Sequence, residues 1–318
     1  MTIDCKDLIR YAVKAPSGHN AQPWKFDVSE DQISILPDFS VSLPVVDPND
    51  RELYISQGCA LENLLIAARH FGFETRIDEY GEKEVTVSLS HGESMSDDDL
   101  FAQIQQRQCN RGMYDGSLIP DTTLHTLRSM PKEKNVGLRL YGIQTEIGQA
   151  LTSYIRRGNE IQMNDHSFKD ELMSWIRVNS RQVQSAGDGL SYKALGNPPL
   201  PTVLARPVVQ LCLSASAQNK SDMKKINSSS HYVLFTTRNN TPTEWIALGQ
   251  TLQRFQLLST QQGIASAFMN QPCEVVSLAE ELRSALPIDN EYPTLILRLG
   301  YAKPMPFSPR KKIDSFLV

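Results

Sequence analysis

Apolar residues recur at near-helical spacing in two long stretches of the chain. Leu53, Ala60, Leu61, Leu64, Leu65, Ala68 and Phe71 predict a helix over 50–71, with Gly72 as its stop. Trp245, Leu248, Leu252, Phe255 and Leu258 predict a second over 243–262, ended by Gly263. A shorter stripe of Leu8, Ile9, Ala12 and Val13 predicts a helix over 4–15, capped by Asp4. Short strands are expected at 24–29 and 32–36. A strand pair follows at 74–79 and 84–89, with Gly81 in the turn and Val85, Val87 and Leu89 alternating. Further along, the pattern predicts a helix at 121–130, a strand at 136–143, helices at 144–163 and 167–180, and strands at 207–215 and 230–237. An extended piece at 264–269, a helix at 274–286 and a strand at 292–299 complete the series. Helix, glycine and strand thus recur in both parts, which suggests a duplicated unit.

Three polar stretches punctuate this order. His91–Ser96 is small and polar and reads as an internal boundary, after which Asp97–Asp99 suit a helix N-terminus. Residues 184–206, small at first and then Pro198-Pro199-Leu200-Pro201, read as a long loop of the kind that often forms a lid. The expected organisation is an N-terminal half, 1–95, and a C-terminal half, 96–318, that carries this lid. Near the start, Ala15–Trp24 is a loop dense in side-chain donors and acceptors.

Composition narrows the function. The 318 residues are 40% hydrophobic and 21% charged, which suits a substantial core. A net charge of −4 argues against a broad nucleic-acid surface but not against a local basic pocket. No apolar run reaches the roughly 18 residues of a membrane span, and Met1–Asp4 lacks the basic start of a secretory signal. The 5 cysteines form no C-x-x-C pair, so reduced thiols and a cytoplasmic protein are expected. Metalloprotease, P-loop, nucleophile-elbow and dinucleotide-fold motifs are all absent, and the 6 histidines show no ligand spacing, so no metal is expected.

Ala15-Pro16-Ser17-Gly18-His19-Asn20-Ala21-Gln22-Pro23-Trp24 resembles the A-P-S-x-x-N-x-Q-P-W signature of nitroreductase-family flavoproteins. Arg107-Gln108-Cys109-Asn110-Arg111-Gly112-Met113-Tyr114 resembles the R-x-S-x-R-x-[FY] segment with which ordinary members open. Leu297–Ala302 with Ser308-Pro309-Arg310-Lys311 resembles the family's L-G-Y-P…R-[KR] ending. The first two pieces stand here in reversed order, each once. In the family, one subunit of a homodimer supplies the phosphate-binding arginines and the other the P-S-x-x-N loop. The reversed order therefore resembles a fused dimer, as in the Acg-like branch, which Arg51-Glu52-Leu53 and Ser56–Leu64 also resemble. The implied fold is α+β, with nitroreductase-like mixed sheets flanked by helices and two halves forming an intramolecular pseudo-dimer. The implied state is a monomer with that architecture, further association being left open.

The resemblance implies one FMN per chain and NAD(P)H as electron donor. FMN carries roughly −1.5 to −2 charge on its phosphate, which cations and backbone N–H groups hold. Arg107, Arg111, Arg310 and Lys311 are the expected cations, with Gln108 and Cys109 between the first two; taken alone, 310–312 also reads as a solvated basic tail. Cys109 stands where the family has a hydroxyl residue. Asn20 and Gln22 suit the pyrimidine edge of the flavin, because amides both donate and accept; Pro16 and Ser17 would lie near the ring, and His19 either touches it or faces solvent. Gln22-Pro23-Trp24 has a second reading as a structural fastening of the loop. Met269 and Asn270 are the expected positions for backbone N–H groups at the flavin N5 and O4 edge, against the alternative of a core-packed connection. No protein residue is expected to act as nucleophile, since the flavin carries the chemistry. The implied function is electron transfer from NAD(P)H to a small acceptor such as a nitroaromatic or quinone. The alternative is an FMN-sequestering or sensing protein whose 184–206 lid closes over the flavin without turnover.

Overall fold

The computed structural model describes residues 4–92, 100–202, 207–210 and 213–318. In chain order its main elements are α1 (Cys5–Ala12), β1 (Trp24–Val28), β2 (Gln32–Pro37), α2 (Arg51–His70), β3 (Phe73–Tyr80), β4 (Val85–His91), α3 (Asp121–Ser129), β5 (Val136–Gly142), α4 (Glu146–Asn164), α5 (His166–Trp175), α6 (Ala215–Asn227), β6 (His231–Thr237), α7 (Pro242–Gln261), β7 (Ala265–Phe268), α8 (Val276–Ala285) and β8 (Tyr292–Gly300). The architecture is α+β. The long helices lie where the apolar stripes predict them, and Gly72 and Gly263 follow with φ of 82° and 70°. Side chains rarely adopt that left-handed backbone, whereas glycine does so without penalty.

The chain forms two compact units. The first comprises Met1–Arg107, Thr241–Gln261 and Arg310–Val318, and the second Gln108–Asn240 and Gln262–Pro309. They are therefore not the contiguous segments 1–95 and 96–318: α7 and the last residues of the chain pack with the N-terminal elements.

In the first unit a four-stranded antiparallel sheet has the order β1-β2-β4-β3. The end of the chain extends its β1 edge. Phe26 donates to the Phe316 carbonyl at 2.8 Å and accepts from Val318 N at 3.1 Å, and Leu317 makes a parallel bridge with Phe26. Phe316 is buried beside Trp24, their ring centroids 6.4 Å apart. α2 and α7, each 20 residues long, pack on each other at a glycine contact. A Cβ on Gly58 would overlap the Ile246 carbonyl, and one on Gly249 would overlap the Ile55 carbonyl. The pair is reciprocal, and Gly58/Gly249, Ile55/Ile246, Tyr54/Trp245 and the stop glycines Gly72/Gly263 all share one separation in sequence. Such mutual contact of corresponding residues is the geometry of a two-fold interface, here drawn from one chain.

In the second unit the antiparallel sheet order is β5-β6-β8-β7. Ile143, Leu151, Ile155, Ile226, Tyr232, Leu234, Met269, Leu282 and Ile296 form its core. Cys109 makes a parallel bridge with Ser266 at the β7 edge. Each sheet is thus antiparallel through its four strands, with a parallel bridge at one edge.

Some expectations change. Residues 207–210 are helical and α6 begins at Ala215, so no strand spans 207–215; a short apolar run does not separate strand from helix by period alone. The helix expected at 167–180 stops at Trp175. Ser180–Ala186 is a helix, and Leu190–Ser191 pairs in parallel with Ile176–Arg177, so 184–206 is not one continuous loop. Arg177 holds that segment through Asp188 at 2.7 Å. The acidic run Asp97–Asp99 and residues 203–206 of the expected lid lie outside the described residues. No described helix is long and apolar enough to cross a membrane.

Candidate functional site

The loop after α1 is locally constrained. His19, Asn20 and Gln22 have φ of 47°, 59° and 59°, a left-handed region that costs non-glycine residues energy and persists only where surroundings enforce it. Ser17 supplies part of the enforcement. Its Oγ accepts from Gln22 N at 3.0 Å, while its carbonyl accepts from Asn20 N at 3.0 Å. Gln22 Nε2 donates back to the Asn20 carbonyl at 3.2 Å. Gly18 fits against Glu52 and Leu43, where a Cβ would stand 3.0 Å from each.

The rest comes from the far end of the chain. Arg310 Nη1 donates to Asn20 Oδ1 at 2.9 Å and Nε donates to the Val13 carbonyl at 2.8 Å. Its Nη2 donates to the Lys14 and Ala15 carbonyls at 3.1 and 3.0 Å. Lys311 N donates to Gln22 Oε1 at 3.0 Å, and Lys311 Nζ to the Ala21 carbonyl at 3.1 Å. Arg107 Nη2 also reaches the Lys14 carbonyl, at 2.8 Å. Pro16, Ser17, His19, Asn20, Gln22, Arg107, Arg310 and Lys311 therefore gather in one compact unit. The loop and three of the expected cations do not come from separate halves.

This cluster is strongly positive. Burial, and then the adjacent Arg107 charge, push the Arg310 guanidinium down to about 9. Burial, and then Arg310, lower Lys14 as well. Like charges held together out of water disfavour their own ionised forms, and an anion placed among them reverses that penalty. Beside the loop, Asp47 caps α2 by accepting from Glu52 N and Leu53 N at 2.8 and 3.1 Å. Burial and the Glu52 charge raise its carboxyl to about 7.

Gln108, Cys109, Arg111, Met269 and Asn270 lie in the second unit. Gln108 Oε1 accepts from Met305 N at 2.6 Å. Cys109 sits at the β7 edge, where the next residue, Asn110, donates its N–H to the Ser266 carbonyl at 2.8 Å. Arg111 is close enough to Lys225 to help lower its pKa, after burial and alongside Arg298. Met269 N donates to the Ile296 carbonyl at 2.9 Å, and its side chain belongs to the core. For Met269 the core-packed alternative describes what is seen. Asn270 Oδ1 accepts from Ile296 N at 3.2 Å, fixing the turn after β7.

Two features escaped the sequence reading. Arg310 and Lys311 bind the loop itself, through main-chain carbonyls that no side-chain pattern reveals. Lys14, at the centre of the cationic cluster, was signalled only by its place directly before Ala15-Pro16-Ser17. Among the described residues there is no group of side chains arranged to hold a metal ion.

No protein-family model matches the chain. It is 22% identical over 323 residues to the "Putative NAD(P)H nitroreductase Rv3131" of Mycobacterium tuberculosis, covering 97% of this chain and 89% of that protein. It is 20% identical over 328 residues to the "Putative NAD(P)H nitroreductase acg" of the same species, covering 97% and 93%. Among solved structures, the FMN-dependent nitroreductase NfnB from Mycobacterium smegmatis, in complex with NADPH, aligns with 68% of this chain and 96% of its own at 15% identity and a TM-score of 0.44. Over nearly its whole length the chain resembles nitroreductase-family proteins of the Acg-like branch, the same likeness that its Ala15–Trp24 loop carries.

Proposed function

We propose that the protein is an FMN-dependent oxidoreductase that passes electrons from NAD(P)H to a small acceptor such as a nitroaromatic or a quinone. The observation that carries this reading is the contact of Arg310 with Asn20, which joins a cationic cluster to an amide-bearing loop. The chemistry of these residues fits FMN. Lys14, Arg107 and Arg310 form a buried positive centre suited to a phosphate, and the loop presents Ser17, His19, Asn20 and Gln22 beside it. The names of the relatives, matched over 97% of this chain, support the same assignment.

FMN, when bound, supplies two-electron chemistry that these side chains lack. The chain's own part is placement. Arg310, Lys311 and Ser17 hold the loop in its left-handed conformation, so that it is organised before a ligand arrives. Arg107 adds positive charge. In the second unit, Asn270 sets the turn after β7.

The test is anaerobic mixing of flavin-loaded protein with NADH and with NADPH. Loss of the visible flavin absorbance with at least one of them, and its return on adding a nitroaromatic or a quinone, is expected. Loaded protein that neither nucleotide bleaches contradicts the proposal.

A further inference from the structure

The cationic cluster is not made of equivalent members. Arg310 is fastened to the protein, its guanidinium directed at the Val13, Lys14 and Ala15 carbonyls and at Asn20 Oδ1. It cannot turn to a ligand without giving up bonds that hold the strained loop. Arg107 also directs Nη2 to the Lys14 carbonyl.

Lys14 differs. Its main chain sits where both guanidinium groups converge, yet no carboxylate pairs with its side chain among the described residues. Its ammonium is half-buried and near enough to Arg310 to feel that charge. A lysine head on a flexible stem is a point charge that can follow a phosphate. We propose that the Lys14 ammonium is the group that meets the phosphate of the bound mononucleotide, while Arg310 acts as a positioning residue for the loop. This rests on the FMN reading above and assigns the ligand's acidic end to one side chain.

FMN and riboflavin differ only in the phosphate monoester, so flavin-fluorescence titrations of both separate the two roles. Lys14→Gln is expected to weaken FMN binding by about tenfold or more, the usual scale of a charge-assisted contact. The same variant should leave riboflavin binding within about twofold and flatten the salt dependence of FMN binding. Lys14→Arg should recover most of the loss. Arg310→Ala is expected to weaken FMN and riboflavin by similar factors, because it loosens the loop. Lys14→Gln protein that binds FMN like the wild type with an unchanged salt dependence, or that loses both flavins equally, overturns the assignment. If the wild-type protein takes up neither flavin, the FMN reading itself fails and the assignment falls with it. Wild-type binding of FMN combined with an indifferent Lys14 variant removes the assignment alone.

Discussion

Gly58 on α2 and Gly249 on α7 face each other so closely that a Cβ on Gly58 would stand 2.9 Å from the Gly249 Cα. Each glycine also lies against the carbonyl of the isoleucine one turn before its counterpart, Ile246 and Ile55. Two long helices of one chain thus meet as the copies of a symmetric dimer would.

Backbone faces backbone at this contact, so an added methyl has no flexible neighbour to displace. Gly249→Ala is expected to lower stability by about 3 kcal/mol or more, at the upper end for overpacking. Gly58→Ala should behave alike. Gly81→Ala, with only the tip of the Glu79 side chain within 4 Å, serves as the mild control. Urea denaturation midpoints measure the difference.

The chain terminus is a second anchor. Phe316 is buried against Trp24, and residues 316–318 continue the sheet at Phe26. Phe316→Ala is expected to cost about 3–5 kcal/mol, the range for emptying a buried phenyl site. Because this segment follows Arg310 directly, removal of 316–318 should also speed proteolysis at the 15–24 loop. Cleavage of that loop at the wild-type rate in the truncated protein would contradict the coupling.

Asp47 makes a prediction in pH. Its folded pKa is raised to about 7 by burial and by Glu52, against an unfolded value near 3.9. Between those values the folded state binds more protons than the unfolded one, so this group's contribution to stability falls as pH rises from about 4 to about 7. Asp47→Asn keeps an acceptor for Glu52 N and Leu53 N and cannot ionise. The variant is expected to lose that downward contribution, and to be more stable relative to wild type at pH 8 than at pH 4. Equal stability differences at both values would exclude the effect.

The legible parts of the fold were those written in local pattern. The helices 51–70 and 242–261 and their glycine stops follow from apolar period and backbone conformation, which neighbouring residues decide. The segment at 207–210 was misread as strand because four residues carry no decisive period. The grouping of α7 and the terminus with the first elements was not legible, since it depends on contacts between residues far apart in sequence. At the site, the loop and the arginines stand out by residue type. That Arg310 grips carbonyls of Val13, Lys14 and Ala15 does not, because carbonyls are common to every residue. Met269 fell to the core because its N–H continues the bonding to β8.

The central claim is that this chain binds FMN at the Asn20–Arg310 cluster, and titration of the flavin-free protein with FMN, followed at the visible flavin bands, tests it most directly. The account predicts a saturable perturbed flavin spectrum with one FMN per chain, weakened when Asn20 is replaced by Ala. Protein that remains colourless after incubation with excess FMN and removal of unbound ligand would contradict it.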